Sequence, residues 1–179
     1  MQREMRVDSP KQRQIKSPAE FRPATLADLH IIAGWILTRR DCELWAGPRI
    51  PYPLDVDLLP ADIDLFGADS TAMVAGNRLL AFGQVIDVSG SRAHLARIIV
   101  APFLRGRGHG KSLVSELMAR ARRRGCHCIT LYVDHHNQAA LSMYAGLGFK
   151  QAQHPPDEQA SPESLFMSCL CTTTSVHTR

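Results

Sequence analysis

Apolar and polar positions change period several times along this chain, and each change marks an element. Leu26, Leu29, Ile32, Ala33 and Ile36 recur at helical spacing. Thr25 precedes them and Asp28 stands three residues after it, the spacing of a capping box, so a helix is predicted from Thr25 onward. Just upstream, Phe21-Arg22-Pro23 reads as a short edge strand. Residues 45–53, WAGPRIPYP, hold three prolines and a glycine and predict an irregular loop. A short helical stretch is expected near 55–66. Continuous apolar runs then take over. Residues 71–75 and 78–88 predict two strands joined at Gly76-Asn77, with a second turn at Ser89-Gly90. HLARIIVAP, from His94, predicts a third strand that Pro102 ends.

After Pro102 the period returns to that of a helix. Leu113, Val114, Leu117, Met118 and Ala121 form the buried stripe of a helix of about 16 residues, closed by Gly125. Ile129–Val133 predicts a strand, Asn137 to Leu147 a helix ended at Gly148, and 149–153 and 165–170 the final strands. The order is mixed α/β, with hairpin strands followed by a crossover helix. Residues 1–19 and 172–179 read as disordered arm and tail around a single domain, 20–171. No internal repeat interrupts it.

Composition narrows the class. The 179 residues are 45% apolar and 21% charged, normal for a globular domain. No apolar run reaches the roughly 18 residues of a membrane span. The polar N-terminus is not a secretory signal. Five cysteines, an odd number, do not suit a disulfide framework and point to a reducing, cytoplasmic setting.

The net charge of +4 conceals a segregation. Residues 1–22 carry six basic and three acidic side chains, residues 105–124 seven basic and one acidic, and residues 41–69 seven acids against Arg49 alone. One region suits an anion and another a cation. A nucleic-acid binder would more often spread a basic stripe over a whole face. Arg122–Arg124 also sit at a helix C-terminus, where cations are favoured in any case.

The chemistry concentrates in LRGRGHGKSL, residues 104–113. It ends like a P-loop at Gly110-Lys111-Ser112, but Arg105 stands where that loop needs its first glycine. Gly106 and Gly108 begin a dinucleotide fingerprint, but Lys111 occupies the third glycine position. What remains is a basic loop with alternate glycines, after an apolar strand and at a helix start. Bare amides, cationic side chains and the helix dipole make that an anion cradle.

Two segments together carry a family resemblance. IIVAPFLRGRGHGKSLV resembles motif A of the GNAT superfamily of acetyl-CoA-dependent N-acetyltransferases, with Arg105, Gly108 and Gly110 at the spacing of [QR]-x-x-G-x-[GA]. NQAALSMYAGLGF resembles the family's second signature, an Asn opening a helix, a Tyr seven residues on and a closing Gly-Phe. The resemblance covers residues 20–171. It implies an α/β (α+β) fold whose mixed, mostly antiparallel twisted sheet has about six to seven strands, flanking helices and a splayed central strand pair.

It also implies a chemistry. The anion would be the pyrophosphate of acetyl-CoA, wrapped by the amides of Gly106, Arg107, Gly108, His109, Gly110 and Lys111 beside Arg105. Ile98, Ile99 and Val100 would offer backbone to the pantetheine arm, as an added strand would pair, and Asn137 would hydrogen-bond the same region. A primary amine would attack the thioester directly, and Tyr144 would protonate the departing thiolate, a role a neutral phenol can fill. Some protein-acetylating relatives carry a Glu five residues before the Asn; this chain has Tyr132 there. His94, Asp134, His135 and a water chain are the candidate bases, with His135-His136 in the loop beside the CoA site.

The acceptor is expected over Trp35, Trp45, the WAGPRIPYP loop and Tyr52. There Asp41 and Glu43 with the Trp45 ring could hold a cation. Alternatively, Arg97 could bind an acceptor carboxylate. Candidate acceptors are a small cationic amine, an amino acid or a peptide N-terminus, for a chain that could form a homodimer. Cys126, Cys128, Cys169 and Cys171 form two C-x-C pairs that would need to converge for a zinc site; no metal is expected. The competing readings are a CoA-binding regulatory or sensor domain with little turnover and a nucleic-acid-binding module. The glycine cradle serves no purpose in the second, and neither nucleic acid nor membrane is an expected partner.

Overall fold

The computed structural model describes residues 18–155 and 163–170. The chain runs β1 Glu20–Pro23, α1 Leu26–Ala33, α2 Arg39–Ala46, α3 Leu59–Asp62, β2 Asp69–Ala75, β3 Arg78–Ser89, β4 Arg92–Val100, a 3-10 turn at Pro102–Leu104, α4 His109–Arg123, β5 Cys128–Asp134, α5 Gln138–Ala145, β6 Lys150–Gln151 and β7 Ser164–Leu170. The strands form one seven-stranded sheet in the order β1-β2-β3-β4-β5-β7-β6. Every neighbouring pair is antiparallel except β4 and β5, which are parallel because α4 carries the chain back between them.

Two features of β4 shape the middle of the sheet. It pairs with β5 only over Arg92–Leu95 against Cys128–Leu131. Beyond Leu95 the two strands fork. At the fork the β3–β4 register jumps from Gln84↔Ala96 to Phe82↔Ile99, so Arg97 and Ile98 together oppose Gly83. This is a bulge, and Arg97 absorbs it with φ of +53°. It reverses the alternation: Leu95 and then Ile98 and Val100 face the α4 side, while Ile99 turns to the other. Gly83 is needed there, because a Cβ would lie 2.8 Å from the Leu117 side chain of α4.

The sheet is covered on both faces. On one, Leu113, Val114 and Leu117 of α4 are fully buried with Leu80, Val85, Leu95, Ile129 and Leu131, and α5 joins them through Tyr144. Each such side chain contributes about 1.5–3 kcal/mol of burial. On the other face Leu29, Ile32, Cys42, Trp45, Leu59 and Ile63 pack on Ala72, Val74, Phe82 and Ile99.

Several boundaries differ from the sequence expectation. The helix from Thr25 stops at Ala33, with Gly34 as its C-cap, although Ile36 is buried as the stripe suggested. A further helix, α2, follows where none was expected, and it takes Trp45 and Ala46 out of the predicted loop. Its start is the Thr38 side chain accepting from the Asp41 amide. The helical stretch near 55–66 is regular only over Leu59–Asp62. The third strand starts at Arg92, two residues early, and the strand expected at 149–153 is only Lys150–Gln151. The arm, the tail and Cys171 lie outside the described residues, apart from the first residues before β1.

Asp28 ties the first strand to the first helix. Its carboxylate accepts from the Thr25 amide at 2.8 Å and from the Arg22 guanidinium at 2.6 and 2.9 Å. Burial opposes its ionisation, but Arg22 and the two Thr25 groups outweigh it and hold its pKa below the usual range. A depressed carboxylate pKa stabilises the fold above the ordinary value and is lost as pH falls through the folded one. Asp28→Asn is therefore expected to lower stability by about 1–2 kcal/mol at neutral pH. Its thermal melts should converge on those of the native protein in acid; parallel curves at every pH would disprove the ion-pair role.

Candidate active site

The fork opens into a cleft of about 550 Å³. Its floor is Ile98, Ile99 and Val100, the strand residues expected there. One end is the glycine loop, represented by Arg105, Gly106, Gly108, His109, Gly110 and Lys111. Asn137, Ala140, Met143 and Tyr144 of the β5–α5 side form one wall. Trp35, Ile36, Asp41, Leu44 and Trp45 form the other. Two segments far apart in sequence thus meet across the split between β4 and β5.

The loop is built to present backbone. Gly106 and Gly108 hold φ of +73° and +85°, the left-handed region that glycine enters at no steric cost. A Cβ on either would meet no protein atom within 4 Å. Among the described residues, none of the amides from Gly106 to Lys111 donates to a backbone carbonyl, whereas Ser112 donates to Gly108 at 3.0 Å. These N–H groups open a helix of 15 residues, so the helix dipole adds to their pull on an anion. Arg105 folds back toward the Val100 carbonyl at 3.4 Å. Arg107, expected with the others, is exposed and does not line the cleft.

Asn137 and Tyr144 lie on the opposite wall with distinct local roles. Asn137 is the N-cap of α5, its side-chain oxygen accepting from the Ala140 amide at 3.1 Å. Tyr144 is only 5% exposed and packs edge-on against Phe149. No hydrogen bond among the described residues engages its hydroxyl. Burial pushes its pKa up to about 12, so the phenol is protonated throughout the neutral range.

The acceptor wall is fixed by long-range contacts. Trp45 Nε1 donates to the Arg97 carbonyl at the bulge, 2.8 Å away, pinning α2 to β4. Tyr52 donates its hydroxyl to the Leu37 carbonyl at 2.5 Å. Arg40 reaches across to Asp134 at 2.7 Å and also to Glu163. Of the acids between residues 41 and 69, Asp41 lines the cleft, its carboxylate accepting from Thr38 Oγ1 at 2.6 Å. Glu43 does not line it.

Other candidates are placed elsewhere. Arg97 points away from the cleft, into the α1–α3 layer, where its guanidinium donates to Gln84 at 2.7 Å. Burial lowers its pKa against the pull of Asp64, and its Nε atom is buried with no partner among the described residues. The carboxylate-binding role suggested for it has no support in this placement. His94 shares Nδ1 with Thr130 Oγ1 at 3.0 Å. His135 and Asp134 are taken up by Glu163, His136 and Arg40. Neither His94, Asp134 nor His135 lines the cleft. Asp134, His135 and His136 bring three donor atoms within 4.8 Å, on the surface and already ion-paired. Cys126 and Cys169 are buried in the α4 layer, and Cys128 starts β5 on the opposite face, so these thiols do not converge.

Comparison with known proteins places the fold. The acetyltransferase (GNAT) family model matches residues 35–149. An uncharacterized N-acetyltransferase of Methanocaldococcus jannaschii is 34% identical over 61 residues, 34% of this chain and 27% of that protein. A ribosomal-protein-alanine N-acetyltransferase of Salmonella typhimurium is 30% identical over 100 residues, 54% of this chain and 67% of its own length. The chain thus spans well under half of the archaeal relative. The Vibrio cholerae spermidine N-acetyltransferase in complex with CoA and spermine superposes with a TM-score of 0.68 at 21% identity, over 85% of this chain and 95% of that one. The forked sheet, the glycine loop and the match through both of them place this chain in the GNAT acetyltransferase family.

Proposed function

We propose that the protein moves an acetyl group from acetyl-CoA to a primary amine by direct attack in a ternary complex, within the domain 20–171. The observation that carries this reading is the run of amides from Gly106 to Lys111 that donate to no backbone carbonyl among the described residues, at one end of a cleft that also reaches Asp41. The amides, Arg105 and Lys111 of the first turn of α4 suit the pyrophosphate, while Arg107 stands exposed on the same loop. The fork leaves the Ile98–Val100 backbone free of β5, so it can pair with the pantetheine amides as a strand would. Asn137 stands on the facing wall, toward the same arm.

The chemistry follows from the wall residues. A neutral amine attacks the thioester carbon, the C–S bond breaks and the thiolate accepts a proton. Tyr144, protonated and lining the cleft, is the donor this geometry favours. The acceptor we favour carries a positive charge, because Asp41 is the acid on its side of the cleft and Trp35 and Trp45 line the same wall. A small polyamine or a peptide N-terminus fits; the relatives named for spermidine and for ribosomal-protein alanine acetylate one of each kind. The free thiols of Cys42 and Cys128 favour a reducing compartment such as the cytoplasm.

Acetyl-CoA at a hundred times its Kd should raise the melting temperature by about 5–10 °C, the equivalent of about 2.7 kcal/mol. No shift at saturating acetyl-CoA would remove the basis for this function.

A further inference from the structure

We propose that Tyr132 and His154 form a proton relay that deprotonates the acceptor's ammonium group, a step that rests on the acetyl-transfer reading above. Tyr132 follows Leu131, the last β5 residue paired with β4, and so stands first past the fork. Its neighbours Leu131 and Val133 are buried in the α4 layer. Alternation turns Tyr132 to the opposite face, the side of Trp35, Trp45 and Asp41. Asp134, two residues along that face, is held by Arg40, and the next residue of that helix, Asp41, lines the cleft. Tyr132 therefore lies on the acceptor side of the split, just outside the residues that line the cleft, so an acceptor reaches it by extending over the fork.

The hydrogen bonds fix which atom carries which proton. His154 Nδ1 lies 2.7 Å from the Pro155 carbonyl oxygen, which can only accept. Nδ1 must hold the ring proton, and the lone pair of the neutral ring is on Nε2. Tyr132 Oη lies 3.1 Å from that Nε2, so the phenol donates to it. A hydroxyl backed by an imidazole whose far nitrogen is held by a third group is the arrangement of an activated proton acceptor. The rings are braced: Phe166, 8% exposed, lies 5.1 Å from Tyr132 between centroids, and His94 lies 5.4 Å away on the β4 side.

The step balances simply. The ammonium gives a proton to Tyr132 Oη as the phenolic proton passes to His154 Nε2. The products are a neutral amine and an imidazolium whose Nδ1–H stays on Pro155. The amine then attacks the thioester, and the exposed imidazolium returns its proton to water. The titratable groups around the relay include His94 from β4, Tyr132 itself from β5, and Asp134 further along β5, which Arg40 and His136 engage. The β7 side contributes the apolar Phe166.

The test uses the full chain, with spermidine and an alanine-initiated peptide as acceptors, from pH 6 to 10. CoA release is measured for the native protein, Tyr132→Phe and His154→Gln. Each variant should keep the acetyl-CoA-induced melting shift and lose about 100-fold in kcat/KM for the amine at pH 7. The loss should shrink as pH nears the amine's own pKa, about 8 for the peptide and about 10 for spermidine, because free amine then needs no base. A deficit equal at every pH, or none, overturns the relay.

A second measurement does not depend on the acceptor. Nitrogen-15 imidazole spectra should show His154 as the Nδ1–H tautomer, with its Nε2 resonance displaced in Tyr132→Phe. An Nε2–H tautomer overturns the relay even if neither amine is a substrate. Loss of the acetyl-CoA shift in the native protein would instead count against the underlying function.

Discussion

Tyr144→Phe is expected to lower kcat by about 100- to 1,000-fold while leaving the KM for acetyl-CoA and the fold nearly unchanged. The expectation rests on what the substitution removes. The ring stays, so its contact with Phe149 and its place in the α4 layer stay. The hydroxyl makes no hydrogen bond among the described residues, so its loss strands no partner. A structural tyrosine would therefore tolerate the change, and a proton donor would not. Steady-state rates and a thermal melt on the same preparation separate the two. An unchanged kcat would take Tyr144 out of the chemistry. With its pKa near 12, the phenol adds no falling limb to the rate below about pH 10. The sign for stability follows. Because the folded pKa lies above the ordinary value, the contribution is whole below about pH 10 and is lost as pH climbs through about 12.

Gly108→Val should abolish the acetyl-CoA melting shift and weaken binding by at least about 100-fold. Two effects add. At φ of +85° a branched L-residue is strained by about 1–2 kcal/mol. The side chain would also enter space that holds no protein atom within 4 Å, beside the amides meant for the anion. Gly125→Val is the matching control. Gly125 has φ of +82° and equally open surroundings, but follows the other end of α4. It should cost similar stability and keep the shift. If both variants lose ligand binding alike, strain in α4 and not occlusion of the cradle is the cause.

The parts of the candidate site legible in the sequence are those where the backbone itself lines the cleft. A bare amide run needs glycine at fixed intervals, and Gly106, Gly108 and Gly110 announce it without reference to anything distant. Asn137 is legible for a similar reason, as a helix start. Helix α2 was harder to read. Its buried positions, Cys42 and Trp45, are few, and the prolines that follow suggest a loop. Tertiary contacts supply what its pattern lacks: Trp45 to Arg97 across 52 residues, and Arg40 to Asp134 across 94. Arg97 misled for a related cause. On an unbroken strand its side chain would be assigned by alternation, but the bulge resets the count. His154 carried no signal at all. Its partner is 22 residues away, brought near because β6 and the residues after it lie along β7, which pairs with β5.

The bulge at Arg97 acts as a parity switch in the chain. One supernumerary residue makes every later position of β4 answer to the opposite rule from every earlier one. Deleting that residue would leave Ile98 alone opposite Gly83 and return the two strands to regular register, so Ile98, Ile99 and Val100 would keep their sides. What such a deletion removes is the carbonyl that anchors Trp45. The bulge is thus a spare place in the count: the floor of the cleft survives its loss, and the tether between α2 and β4 does not.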